Sequence, residues 1–188
     1  MQNDIFRPLT AEELPALYPV MERQFPDAEL KPLSGFLRAY RAGTQMGFVL
    51  EQSGKIICYA LLVQAEGVAS VQLDYFAVSE ELQGQGVGSR MLGLLRRQFP
   101  QLIADVEDPE AAESTEEARE RSRRVRFYER NGFRMTRAKA YAWGVDYAFM
   151  ATAGDDGEVA RAMDALYRTT TATDAEYRAH FRVYVCPN

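Results

Sequence analysis

One histidine, His180, and two cysteines, Cys58 and Cys186, are all the imidazole and thiol chemistry that this 188-residue chain holds. The cysteines show no metal-ligand or redox spacing, so both are expected as free thiols, Cys58 packed in an apolar strand. His180 has no second imidazole and no neighbouring nucleophile. A metal site is therefore not expected. Long apolar runs are also missing; none nears the ~20 residues that cross a bilayer. The opening "MQNDIFRPLT" lacks a basic segment followed by an apolar core, so a cytoplasmic protein is expected. A surplus of positive charge is missing too, with 22 Lys and Arg against 27 Asp and Glu. The formal net charge is −5, which argues against non-specific binding to nucleic acid or anionic membranes and mildly favours cationic partners.

What remains is an ordinary globular composition, 47% hydrophobic and 26% charged, of a length that fits one domain with a full core. No repeat or low-complexity linker interrupts it. Residues 5–8 read as a short strand. Thr10 and Glu13 match a capping box ahead of apolar residues at helical spacing, Leu14, Leu17, Tyr18, Met21 and Phe25, although Pro15 and Pro19 disturb a regular first turn. A second short helix ends at Gly43. The period then changes: "GFVLEQ", the turn "SGK" and "IICYALLVQ" predict a hairpin, and "ASVQLDYFAV" a third strand.

A glycine loop follows, Gly84, Gly86 and Gly88 within "GQGVG". After it comes a helix with Met91, Leu92, Leu95 and Phe99 on one face. "QLIADVE" is the next strand, and a strand–helix–strand unit of this length implies parallel pairing. Ser114 and Glu117 cap a charged helix whose pairs Glu117–Arg121 and Glu120–Arg124 suit a solvated face. Asn131-Gly132 closes it. Two last strands, "FRMTRAKAYAW" and "VDYAFMAT", form a closing hairpin, and "EVARAMDALYR" and "DAEYRAHFR" read as C-terminal helices. The expected fold class is thus α/β (α+β) with a mixed sheet.

Strand, glycine turn and amphipathic helix together make a phosphate-binding context. Backbone N–H groups and the positive end of the helix dipole converge there, and a missing Cβ lets a phosphate approach. A Walker loop needs Lys-Ser/Thr after the glycines and fails. A dinucleotide fingerprint needs G-x-G-x-x-G in a βαβ unit; the spacing here is G-x-G-x-G after an antiparallel meander. The third pattern, Gln-x-x-Gly-x-Gly, is met by Gln83, Gly86 and Gly88.

That pattern resembles the pyrophosphate loop of the GNAT acetyltransferase superfamily. "LDYFAV" resembles the strand that ends before the loop. "VRFYERNGFRM" resembles the second motif, a helix carrying Phe-Tyr-Glu-x-x-Gly-Phe and then a strand. These matches cover roughly residues 73–135. "FPDAE", "DVEDP" and "FYERNGF" further resemble a bacterial branch of that superfamily. The resemblance implies a GNAT fold: a mixed, mostly antiparallel sheet with a splayed parallel strand pair, helices on both faces, and a single domain over residues 1–188. The helices of about 157–182 would then be an appended cap or a homodimer interface.

The resemblance further implies acetyl-CoA as cofactor, leaving CoA as product. Its pyrophosphate would meet Gln83, Gly84, Gln85, Gly86, Val87, Gly88 and Ser89. Its pantetheine arm would lie along Phe76, Ala77 and Val78 as an added strand, with the Val78 N–H as oxyanion donor. The implied activity is N-acetylation of a primary amine by direct transfer. The acceptor would be a cationic small molecule, a lysine or an N-terminal amine. Tyr128 matches the family's general acid. Glu107, then Asp74, then Glu29 are the candidate bases, with a water chain as the alternative. Glu29 and Phe25 are the candidate acceptor contacts. A non-catalytic acyl-CoA sensor and a longer-chain acyltransferase are the competing expectations. One departure stands out: many members carry Asn and Ala where this chain has Arg121 and Arg124, so those arginines would face either the cofactor's phosphates or their glutamate partners.

Overall fold

The computed structural model describes residues 4–27, 29–171 and 173–187. Among the described residues it is a mixed α/β fold with eight strands, mostly antiparallel. The chain divides into two compact units, Met1–Gln64 with Asp74–Leu94, and Ala65–Leu73 with Leu95–Asn188.

In the first unit, β1 (Ile5–Leu9) pairs antiparallel with β2 (Gln45–Gln52), and β2 with β3 (Lys55–Val63). Ser53 and Gly54 both take positive φ, 51° and 77°, which is the turn that closes a twisted two-residue hairpin. The strand β4 (Val71–Val78) follows β3 in the sheet. Two helices, α1 (Leu14–Gln24) and α2 (Leu33–Arg41), bury Leu14, Leu17, Met21 and Phe36 with Val49, Tyr59, Leu61 and Tyr75 of the strands.

The expected capping box forms only in part. The Thr10 N–H donates to Glu13 Oε2 at 2.9 Å, but α1 begins at Leu14. The Glu13 carboxylate also takes Arg7, at 2.7 Å. Pro15 occupies the first helical turn, where a missing N–H costs nothing.

In the second unit, Val71–Leu73 pair in parallel with Leu102–Ala104 of β5 (Leu102–Glu107). Antiparallel pairs then join β5 to β7 (Val145–Ala151), β7 to β6 (Arg134–Ala142), and β6 to β8 (Phe181–Val185). Between β4 and β5 in the chain runs α3 (Val87–Gln98), whose residues up to Leu94 belong to the first unit; Met91, Leu92 and Leu95 are fully buried. The charged helix α4 (Thr115–Arg130) is capped by Ser114 Oγ, which accepts from the Glu117 N–H at 3.1 Å. Next come α5 (Asp156–Thr170) and α6 (Asp174–His180).

The strand β8 corrects the expectation that the last helix runs on through "HFR". The helix stops at His180, and "FRVYV" pairs along β6 from Ala142 to Ala138. Trp143, at φ 52° in the β6–β7 turn, stacks on His180 at 4.0 Å and donates its N–H to the His180 carbonyl. His180 is thus a half-buried residue packed on Trp143.

Candidate functional site

The predicted site residues fall into two groups, one on each unit. On the first unit β4 ends at Val78, and a short 3₁₀ turn, Glu80–Leu82, leads into the glycines. Gly84 and Gly86 take φ of 75° and 82°, which only glycine adopts at little cost. A Cβ at either would meet no atom within 4 Å. The glycines are therefore set by backbone conformation and not by crowding, and the space above them is open. The side chains of Gln83 and Gln85 turn back on the loop's own carbonyls, Val78 and Glu81, at 3.4 and 2.8 Å. The α3 ladder begins with the Arg90 N–H donating to the Gly86 carbonyl at 3.0 Å. The amides of Val87, Gly88 and Ser89 lie ahead of that bond, at the positive end of the helix dipole. This donor set suits an anionic phosphate group.

Phe76, Ala77 and Val78 are half-buried at the end of β4. The Val78 carbonyl accepts from Gln24 Nε2 at 3.3 Å, and Gln24 Oε1 accepts from the Tyr59 hydroxyl at 2.7 Å. Burial pushes the Tyr59 phenol well above its usual range, so it serves as a hydrogen-bond donor. Sequence reasoning missed this relay. Gln24 and Tyr59 belong to no motif and meet only through the fold.

The acceptor candidates gather on the same unit. Asp74 takes Lys31 Nζ at 2.7 Å and Gln45 Nε2 at 2.9 Å. Tyr75 donates its hydroxyl to the Glu29 carbonyl at 2.6 Å and accepts the Lys31 N–H at 3.2 Å. Its ring packs edge-on against Phe25, 5.0 Å between centroids. Two consecutive β4 residues thus hold the segment between α1 and α2 that carries Phe25 and Glu29. The Glu29 side chain is exposed.

On the second unit Glu107 ends β5. Its two carboxylate oxygens face Arg121 at 3.3 Å and Arg124 at 3.4 Å. Arg121 also donates to the Asp108 carbonyl at 3.0 Å. The arginines that replace the family's Asn and Ala are therefore partners of Glu107. Both also keep their helix glutamates, Glu117 at 3.8 Å and Glu120 at 3.9 Å.

Tyr128 is buried on α4, its ring between those of Phe127 and Phe133 at 5.4 and 5.2 Å. Its carbonyl accepts the N–H groups of Asn131 and Phe133. Gly132 has φ 80°, and a Cβ there would collide with the Arg96 guanidinium. Arg96 in turn donates to the Asn131 carbonyl at 2.7 Å. Within "FYERNGF" the two phenylalanines pack on the Tyr128 ring, while Asn131 and Gly132 turn the chain.

Among the described residues, no cluster of three or more His, Cys, Asp or Glu could hold a metal ion. No helix among them is long and apolar enough to cross a membrane. Cys58 is fully buried, and burial pushes its thiol up to about 12.

The model of the acetyltransferase (GNAT) domain matches residues 44–135, from β2 into β6. These residues form a GNAT acetyltransferase domain. The match takes in the glycine loop, Glu107 and Tyr128. Solved GNAT structures share the fold at low identity. A protein from Bacteroides thetaiotaomicron assigned to the GNAT acetyltransferases is 21% identical; the alignment covers 82% of this chain and 89% of that one, with a TM-score of 0.65. The ribosomal-protein-alanine N-acetyltransferase of Brucella melitensis is 21% identical over 78% of this chain and 98% of its own, TM-score 0.55. Arabidopsis thaliana NAA60, solved in complex with acetyl-CoA, is 14% identical over 79% and 97%, TM-score 0.58. No curated protein matches the sequence.

Proposed function

We propose that this chain is an N-acetyltransferase that moves an acetyl group from acetyl-CoA to a primary amine by direct transfer. The observation that carries the reading is the glycine loop. Gly84 and Gly86 hold positive φ with open space where a Cβ would stand, immediately before the first turn of α3, inside a segment that matches the GNAT model. Val87, Gly88 and Ser89 would hold the pyrophosphate. The backbone of Phe76, Ala77 and Val78 would receive the pantetheine arm, steadied by Gln24 on the Val78 carbonyl. Acetyl-CoA, when bound, supplies an activated thioester.

Tyr128 would give its hydroxyl proton to the departing sulfur, its ring fixed by Phe127 and Phe133. The acceptor must lose a proton before it attacks, since an alkylammonium has no lone pair. Glu107 and Asp74 each already carry ion pairs, Glu107 with two arginines and Asp74 with Lys31. We therefore assign the proton to solvent rather than to either side chain. Glu29 and Phe25 would meet the acceptor from the segment that Tyr75 holds. Cys58, buried and raised to about 12, would form no acyl-enzyme.

The deciding experiment follows free thiol from acetyl-CoA against a panel of amines, with mass spectrometry of the product. Amine-dependent thiol release with a product heavier by one acetyl group is expected. Tight binding of acetyl-CoA without turnover on any amine would replace this reading with an acyl-CoA sensor.

A further inference from the structure

The helix α4 carries six arginines between Arg119 and Arg130, and they divide by direction. At 3.6 residues per turn, Arg121 and Arg124 fall within about 40° of Tyr128, on the face that meets Glu107. Arg119, Arg123, Arg126 and Arg130 fall within an arc of about 60° on the opposite side of the helix. All four are exposed. Their guanidinium groups form no ion pair or hydrogen bond among the described residues, whereas each inward arginine pairs with Glu107 and with a helix glutamate.

The outward four stand at i, i+4, i+7 and i+11, so they make one row about 16 Å long. Like charges three and four residues apart destabilise a helix. The row therefore works against α4 itself, and no carboxylate among the described residues relieves it. It also stands against a net charge of −5. Its chemistry is that of an anion receptor.

The borders of the row select the anion. Exposed Glu120 and Glu116 lie along one side and exposed Glu129 along the other. A nucleic-acid duplex is broad and densely charged, and its phosphates would press on those carboxylates. No aromatic side chain lies in the row to stack unpaired bases. A single helix is narrow enough to follow it. Carboxylates at i, i+4, i+7 and i+11 repeat its spacing, and the guanidinium fork matches a carboxylate.

We propose that the outward face of α4 is a docking surface for an acidic helix of a partner protein. The surface lies apart from the glycine loop and from Tyr128, and it does not depend on the acetyl-transfer reading.

The test is fluorescence anisotropy of the whole protein with a labelled, alanine-based helical peptide of ~20 residues that carries glutamates at i, i+4, i+7 and i+11. The peptide should bind at low salt and weaken as salt rises. Arg123→Gln combined with Arg126→Gln should weaken it ~3-fold or more, the scale of two exposed ion pairs. Neutralising all four arginines should abolish binding. The melting temperature and CoA affinity should hold in both variants, since the row supports neither the fold nor the loop. Arg38→Gln combined with Arg161→Gln removes the same charge from two exposed arginines elsewhere and should leave peptide binding intact. A wild type that ignores the peptide at low salt overturns the surface. Equal weakening in the Arg38 and Arg161 control does so too, because it marks non-specific attraction. Equal affinity for a peptide with its glutamates scrambled overturns the matched helix. Tighter binding of a duplex RNA, lost with the same four arginines, overturns the acidic helix in favour of nucleic acid.

Discussion

Lys31 Nζ stands 2.7 Å from Asp74 Oδ2. The pair joins the segment after α1 to β4, and the same lysine lies over the Tyr75 ring at 5.6 Å. With Gln45 donating from the other side, Asp74 is placed as a tether. A tether and a base make opposite forecasts. If Asp74 only anchors the segment, Lys31→Met and Asp74→Asn should weaken acceptor use to a similar extent, chiefly in KM. Their stability effects should also fall short of additivity, by the ~0.5–3 kcal/mol that contacting residues share. Denaturant melts of the single and double variants give the coupling. Were Asp74 the proton acceptor, Asp74→Asn alone would abolish turnover.

Tyr128 and Glu107 make a second contrast. Tyr128→Phe preserves the ring between Phe127 and Phe133, so stability and acetyl-CoA affinity should hold. Turnover should fall ~10²-fold or more, the usual weight of a general acid. A wild-type rate in this variant would remove Tyr128 from the chemistry. Glu107→Gln instead strips Arg121 and Arg124 of their shared carboxylate. It should lower the melting temperature but cut turnover less than ~10-fold, below the range of a general base. A loss of two orders of magnitude would restore Glu107 as the base.

The parts of this fold that were legible in the sequence are those written in local chemistry. Ser53-Gly54 announces a hairpin because only that backbone twist suits the flanking strands. Gly84 and Gly86 announce the loop, and Asn131-Gly132 the end of α4, for the same reason of φ. Contacts made by tertiary placement left no such mark. Gln24, Tyr59 and Val78 are 35 and 19 residues apart in turn along the chain, and their relay exists only once α1 lies on the sheet. Nor do Gln72 and Tyr167, which both donate to Asp105 Oδ2 at 3.0 Å, share any spacing with it. The strand β8 was hidden because "FRVYV" directly continues a helix, and its pairing partner, β6, lies some forty residues earlier.

The glycine loop supports a prediction that separates conformation from contact. Gly86 has φ 82° and free space around its missing Cβ. Asparagine tolerates that backbone far better than a β-branched residue does. Gly86→Asn should therefore fold nearly as well as the wild type, while Gly86→Val pays about 1–2 kcal/mol for the strained φ. If a pyrophosphate occupies the space above the loop, both variants should bind CoA more weakly, since both place a side chain there. Calorimetry with CoA reads this directly. Wild-type affinity in Gly86→Asn would mean that the glycine only makes the turn.

Cys58 gives a pH prediction with a definite sign. The unfolded thiol ionises near ~8.5, whereas burial in β3 pushes the folded one up to about 12. The folded state therefore keeps a proton that the unfolded state releases in this window. Its advantage is complete below the unfolded value and is lost as pH rises toward 12. Cys58→Ala should accordingly flatten the fall in stability above pH ~9 while lowering stability at neutral pH through the cavity it leaves. A thiol titration checks the premise. With native protein at pH 8, Cys186, which is only partly covered, should react readily and Cys58 should not; denaturation should release the second thiol. Rapid modification of both cysteines in the folded protein would contradict the buried position of Cys58, and loss of acetyl transfer in Cys58→Ala at an unchanged melting temperature would reopen a covalent route.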